Sequence, residues 1–423
     1  MPRSLRVDPG YIAQVKSAVQ RNGFPSQKAL AIESGLALST VKKFLSGKPV
    51  DYLNFVEMSE KLGFFWQEIA ADLVDDLEPH NSIKELKPLD YIFYLERIPY
   101  ESQCYEEILK SGSLTRIKAP QQMGKTCMLE RVLFRIREQG YQTITLSFEL
   151  ADSTIFTDLR RFSRWFCAST GENSGLPNKL DDYWDDIFGC SSNTTAYFQN
   201  YLLHQTTTPL VLALDNVDIV FEHPAIADDF CRLLRGWYDM ARRGNHIGAT
   251  WQKLRLVVVH STEVYSSLDI NSSPLAGIGL EIELPEFSFE QVQELVKRYG
   301  LDWSASQIEQ LITMLGGHPY LLDKALDYLK RQQVTLEQLL PIAPTEAGPF
   351  SDHLRRQLGN LKQHPELAAA LAEVVKANDW VTIPSTQLFK LQSMGLIKLQ
   401  GNSVIPSCDL YRKYFRERLG ING

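Results

Sequence analysis

The sequence predicts a multidomain chain. A small all-α helix-turn-helix domain (1–75) and a linker (76–90) precede an α/β core built on a mostly parallel sheet (91–286). A helical lid (287–345) and a C-terminal winged helix (346–423) follow. Three observations carry this reading. Apolar residues recur at helical spacing through the first 75 residues. Between residues 114 and 284, short apolar runs alternate with helical stretches, the pattern of a parallel sheet covered on both faces. Beyond residue 288 the chain turns helical and ends in two helices and a hairpin. A length of 423 residues fits about three domains.

In the first domain, Ile12, Val15 and Val19 space a helix over residues 11–21, and Ser26 is placed to cap a second over 26–33. Ser34-Gly35-Leu36 breaks the chain, Ser39–Leu45 forms a third helix, and 55–62 and 66–73 complete the unit. Gly35 stands where the turn of a helix-turn-helix asks for a permissive backbone. Residues 75–88 hold two prolines among mixed charges and read as linker. In the core, strands are expected at 114–118, 142–148, 210–214, 255–259 and 280–284, with helices over 125–138 and 228–243. Helices over 366–377 and 386–394 and strands at 395–398 and 403–405 supply the winged-helix pattern.

Composition removes several classes of function. Forty-four basic against 51 acidic residues leave −7, which is no cationic coat for nucleic acid. No run of about 18 apolar residues is present and the first residues lack the apolar stretch of an export signal, so a cytoplasmic chain without membrane contact is expected. Six scattered cysteines form no C-x-x-C pair and the eight histidines no ligand pattern, so thiols rather than disulfides, and no zinc, are expected.

Chemistry concentrates at the strand–loop–helix of residues 114–138. A phosphate chain needs inward-pointing N–H groups at a helix N-terminus, a mobile ammonium, and a hydroxyl for Mg²⁺. Gly124, Lys125 and Thr126 supply these in order, and the backbone of Gln122, Met123 and Cys127 completes the loop. Ala119 stands where the phosphate-loop pattern has its first glycine, which is tolerable at negative φ. The apolar strand at 210–214 delivers Asp215 to the edge where parallel sheets bind ligands, placed to hold Mg²⁺ opposite Thr126. Asn216 follows where a water-activating glutamate is usual. An amide orients water but takes no proton, so hydrolysis is expected to be slow unless Asp218 substitutes. Ser261 and Thr262, ending the 255–259 strand, are candidate sensors of the terminal phosphate. Asn178-Lys179-Leu180-Asp181 has guanine-reading letters but follows no strand, so adenine is the expected base.

Tyr94-Leu95-Glu96-Arg97, Lys118–Thr126, Leu214–Phe221, Val259–Glu263 and Gly316–Leu321 together resemble the bacterial AAA-like ATPases grouped with the STAND signal-transduction NTPases, over residues 85–415. The N-terminal unit is similar to those of vWA-MoxR-associated proteins. The resemblance implies a switch that binds ATP or ADP with Mg²⁺, closed as a monomer and opened into an oligomer or toward a protein partner. It places Pro319 and His318 of the lid motif against the adenine, with Tyr94 and Arg97 closing the other side. Glu263 stands where many relatives carry arginine, and no Arg or Lys occurs between Thr262 and Glu294, so a trans-acting arginine there is not expected.

DNA is a further possible partner. Ser39, Thr40, Lys42 and Lys43 of the third helix would touch it, yet residues 1–73 carry nine basic and seven acidic residues, only +2. Three readings therefore stand open: a signalling switch and weak ATPase, a nucleotide-dependent DNA-binding regulator or initiator, and a hydrolytically silent ADP-bound scaffold.

Overall fold

The computed structural model describes residues 4–64 and 69–70 (save Pro9, Gly23 and Gly35), 94–262, and 275–420 (save Gln333). The linker at 76–90, most of the helix expected over 66–73, Gly35 and Glu263 lie outside the described residues. The chain divides into two units, Met1–Glu85 and Leu86–Gly423.

The first unit holds helices α1 (Ile12–Arg21), α2 (Gln27–Ser34), α3 (Leu38–Leu45) and α4 (Tyr52–Lys61). Ser26 caps α2, its hydroxyl accepting from the Ala29 N–H at 3.2 Å. Val15, Leu30, Val41, Phe44, Phe55 and Met58 close a core beneath them. The all-α expectation needs a correction. Strand β1 (Ser4–Leu5) pairs antiparallel with β2 (Val50–Asp51), and Val7 bridges Ala70. Strands of two residues are too short to show a period in sequence.

The second unit is organised by a five-stranded parallel sheet of β3 (Leu114–Ala119), β4 (Gln142–Ser147), β5 (Leu210–Asp215), β6 (Leu254–Ser261) and β7 (Leu280–Glu283), in spatial order β4-β5-β6-β3-β7. Alternation along the strands sorts their side chains onto two faces. Ile117, Ala119, Val211, Ala213, Val257 and Val259 meet Met128, Leu129, Val132 and Leu133 of α5 (Lys125–Glu138). These strand residues are mostly small, so α5 lies close to the sheet. Leu210, Leu212, Leu214, Leu256 and Val258 face the other way. There they pack on Phe162, Phe166 and Trp237 of α6 (Leu159–Asn173) and α7 (Pro224–Met240). Each fully buried leucine or phenylalanine contributes roughly 2 kcal/mol.

Beyond the sheet come α8 (Phe289–Arg298), α9 (Ala305–Leu315) and α10 (Pro319–Gln332), then α11 (Ser351–Gln363), α12 (Pro365–Lys376), α13 (Ser385–Ser393), hairpin β8 (Ile397–Gln400) and β9 (Ser403–Pro406), and α14 (Asp409–Arg418). The lid segment and the C-terminal segment share one buried cluster running from Leu95 through Leu326 and Leu371 to Phe415. No described helix is long and apolar enough to cross a membrane.

Candidate functional site

The sheet order sets the site. β6 lies between the strand that enters the phosphate loop and the strand that ends in Asp215. Ala119 is paired with Ser261 and Ser147 with Asp215 at one edge. Ala119 ends its strand outside the left-handed region, so its methyl is accommodated. Gly124, at φ +84°, turns the loop into α5, a conformation that disfavours any side chain.

Within the loop the Lys125 ammonium donates to the Ala119 and Pro120 carbonyls at 3.1 and 2.9 Å. The Thr126 hydroxyl donates to Asp215 Oδ2 at 2.9 Å, and the Asn216 N–H donates to Asp215 Oδ1 at 2.9 Å. Burial pushes the Asp215 carboxyl up, against the opposing pull of Thr126, the Asn216 N–H and Lys125. A hydroxyl and a carboxylate meeting at the cavity edge are a hard-oxygen pair. That fits Mg²⁺, which takes one or two protein oxygens and completes its shell with phosphate and water. Asn216 is itself at φ +55°, where asparagine is among the least strained side chains. Its amide donates to Ser147 Oγ and Glu149 Oε2, each at 3.2 Å. Asp218 Oδ1 accepts from the Ser261 N–H at 2.9 Å.

These groups line a cavity of about 530 Å³ bounded by Gln122–Cys127, Glu149, Asn216, Asp218, Ser261 and Tyr320. A second, more apolar cavity of about 320 Å³ shares Gln122, Gly124, Cys127 and Tyr320 with it and adds Tyr94, Leu95, Arg97, Phe287, Leu295, Pro319 and Asp323. The two cavities meet at the loop, the first rich in polar side chains and the second more apolar, which suits a ligand with one polar and one apolar end.

Several expected site residues are already engaged. Arg97 is buried, stacks on Phe287 at 4.1 Å, and donates to the Pro285 and Met123 carbonyls, both at 2.8 Å. Its guanidinium therefore fastens the loop to the lid and offers the cavity a flat face. Tyr94 donates its hydroxyl to buried Glu101, which also accepts the Arg97 N–H at 2.6 Å. Pro319 lines the apolar cavity, whereas His318 is buried and outside that lining, its basicity pushed down to about 3 by burial and by His353. Gly317 lets the lid turn pass close to the segment that leads into α8: a Cβ there would stand 2.2 Å from the Phe287 carbonyl oxygen. The Thr262 hydroxyl donates to the Ser393 carbonyl at 2.6 Å, turned toward the C-terminal segment. Asp181, of the guanine-like letters, pairs with Arg164 at 2.6 Å and lines neither cavity.

Three features escape sequence reasoning. Gln122, at φ +61°, accepts on Oε1 from Arg356 Nη2 (2.8 Å), and the same atom lies 3.1 Å from His353 Nδ1. The arginine donor identifies that atom as the amide oxygen; Arg356 Nη2 also lies 3.3 Å from His353 Nδ1, and His353 Nε2 lies 2.8 Å from the Tyr411 hydroxyl. Glu149 on the cavity wall is the second feature, and Phe287 with Leu295 in the apolar cavity is the third. Neither Glu149 nor the Phe287–Leu295 pair belongs to a local motif, and the place of Gln122 in the phosphate loop gives no sign of its link to α11. The only signal for Glu149 is a carboxylate just past a strand end, paired with an amide where one expects an acid.

Among solved structures the chain is similar to the Walker-type ATPase PABY2304 of Pyrococcus abyssi, with TM-score 0.54 and 16% identity over 77% of this chain and 99% of that one. It also matches the Aeropyrum pernix ORC2 protein (TM-score 0.45, 13% identity, 76% and 91% covered) and Cdc6p of Pyrobaculum aerophilum (0.41, 14%, 78% and 98%). At such identities the likeness to the first is one of fold. No curated protein matches the sequence. A family model described as an AAA-like domain matches residues 83–417, most of the chain and all of the site above; the protein belongs to the AAA-like domain family.

Proposed function

We propose that the protein is an ATP-binding switch of the STAND type. Its nucleotide state sets the posture of the lid and C-terminal segment, and through them oligomerisation or partner recruitment, with slow ATP hydrolysis. The observation that carries this reading is the bond from Gln122, inside the phosphate loop, to His353 and Arg356 of α11. A loop that must rearrange around phosphates is thereby tied to a helix more than 230 residues away in sequence. A ligand that changes the loop biases both arrangements of the C-terminal segment, which is what a two-state switch requires. Arg97, bonded to Met123 of the loop and Pro285 before the lid, couples the base end in the same way. Thr126 and Asp215 hold Mg²⁺, Lys125 turns from the loop carbonyls to the outer phosphates, and the base lies in the apolar cavity against Pro319 and the face of Arg97. Mass measurement in solution tests the switch. A monomer with ADP and a larger species with a non-hydrolysable ATP analogue are expected; one mass in every state defeats it.

A second reading, DNA binding by the first unit, is favoured by one observation. Lys42, Lys43 and Ser39 are exposed on α3, while Val41, Phe44 and Leu45 are buried. Retardation of duplex DNA that weakens with salt and disappears in a Lys42→Glu, Lys43→Glu variant would support it.

A further inference from the structure

We infer that Glu149 is the catalytic carboxylate of ATP hydrolysis in this chain, and that Asn216 is a positioning residue that aims it; the inference rests on the ATP-binding reading above. Strands β4 and β5 run parallel with Ser147 beside Asp215, so the residues just beyond each strand end emerge together at the rim of the phosphate cavity. Glu149 and Asn216 both line that cavity, and the Asn216 amide donates to Glu149 Oε2 at 3.2 Å. A second bond from the same amide, to Ser147 Oγ at 3.2 Å, fixes its orientation. Ser147 Oγ also accepts the Glu149 N–H at 3.3 Å, closing a small ring of contacts about the strand ends.

The neighbouring acids are either fully committed or less exposed than Glu149. Asp215 has both oxygens committed, to Thr126 and to the Asn216 N–H, and Asp218 receives the Ser261 N–H. Asn216 itself accepts no proton. Glu149 is exposed to solvent on the cavity wall, and among the described residues no lysine or arginine pairs with it. It is therefore a carboxylate with access to water, held by one neutral donor, lining the same cavity as Lys125 and Thr126. The backbone supplies a reason for dividing the work between two residues. Position 216 lies in the left-handed region, where a glutamate is strained and an asparagine is not, so the carboxylate comes from the neighbouring strand. In the step itself, the oxygen of a water forms a bond to the γ-phosphorus while its proton passes to Glu149. The bond from that phosphorus to the β-phosphate oxygen breaks with its electron pair remaining on ADP, and the proton later leaves Glu149 for solvent.

The test is single-turnover ATP cleavage with enzyme in excess, alongside fluorescence titration with ATP and ADP and extraction of the bound nucleotide. Glu149→Gln should slow cleavage at least about 100-fold with nucleotide affinity within about threefold, and should retain ATP where wild type retains ADP. Glu149→Asp should recover part of the rate. Asn216→Ala should cost about tenfold alone and nothing further in the Glu149→Gln background, a non-additivity that a merely structural role would not produce. Wild-type cleavage by Glu149→Gln, or its loss in Asp218→Asn with Glu149→Gln still active, would overturn the assignment. A wild-type protein that binds ATP but cleaves none would overturn it while leaving the binding reading intact. Failure to bind ATP at all would remove that reading itself.

Discussion

The two cavities that meet at the phosphate loop are built in opposite ways. The one around the phosphate loop comes largely from a contiguous strand, loop and helix, Leu114–Glu138, with Glu149, Asn216, Asp218 and Ser261 brought in by the neighbouring strand ends. The apolar cavity is assembled from Tyr94–Arg97, Phe287, Leu295 and Pro319–Asp323, set against Gln122, Gly124 and Cys127 of the loop. Where chemistry fixes a spacing, as between a glycine turn, an ammonium and a hydroxyl, the residues must be neighbours along the chain. Where only an apolar wall of suitable size is needed, any part of the fold can supply it. The first should thus fail sharply on single substitutions and the second should degrade gradually.

The steepest loss should follow Lys125→Ala. Its ammonium is the single lysine of the loop, already folded toward it, and charge-assisted bonds to phosphate are strong. Calorimetric titration should show ATP affinity reduced at least about 100-fold, or about 3 kcal/mol. Unchanged affinity would mean that phosphates are not held there. Next in size, Asp215→Asn should cost about 30-fold in ATP affinity with Mg²⁺ present and nothing once EDTA is added. If the loss persists in EDTA, the carboxylate acts by shaping the loop rather than through the metal.

That contrast also explains how much was legible in the sequence. Lys125, Thr126, Asp215 and the strand carrying Ser261 could be read because each follows from local order, an apolar strand ending in a polar residue. The parallel sheet could be read from apolar strands alternating with helices along the chain. Glu149 could not, because its partnership with Asn216 depends on β4 lying beside β5, and the expected alternation leaves strand order open. Gln122 reads as an ordinary loop residue until α11 is folded against it. The paired two-residue strands near Leu5 and Val50 carry no pattern at all. Pro319 and Tyr94 were reachable only by family resemblance, and the apolar cavity walls they join were not.

A gentler test separates the two cavities. Phe287→Ala removes the ring over which Arg97 lies at 4.1 Å and one wall of the apolar cavity. It should weaken ATP and ADP by about tenfold, or about 1.4 kcal/mol, while inorganic triphosphate, which has no base, binds as to wild type. Equal losses for all three ligands would show that Phe287 supports the loop through Arg97 instead of meeting the base.

The smallest expected effect concerns the link between the loop and the C-terminal segment. His353 is buried between Gln122 and Tyr411, and burial, reinforced by Arg356 and Lys324, pushes its basicity down to about 4. A ring that titrates near 6.5 when unfolded and near 4 when folded takes up its proton first in the unfolded chain. Its contribution is therefore fully present above about pH 6.5 and is lost as pH falls toward 4. Between pH 7 and pH 5.5 the loss reaches about 1 kcal/mol, a shift of a few degrees in the thermal midpoint. His353→Gln removes the titrating ring, so its midpoint should fall less than that of wild type over this interval, with the two curves converging as acid is added. His318 also feels His353, but its basicity, down to about 3, lies well below this interval, so the difference reports chiefly the His353 ring. Parallel curves would mean that His353 is protonated without cost in the folded chain, and the bond from Gln122 to α11 would then no longer be held by a neutral imidazole.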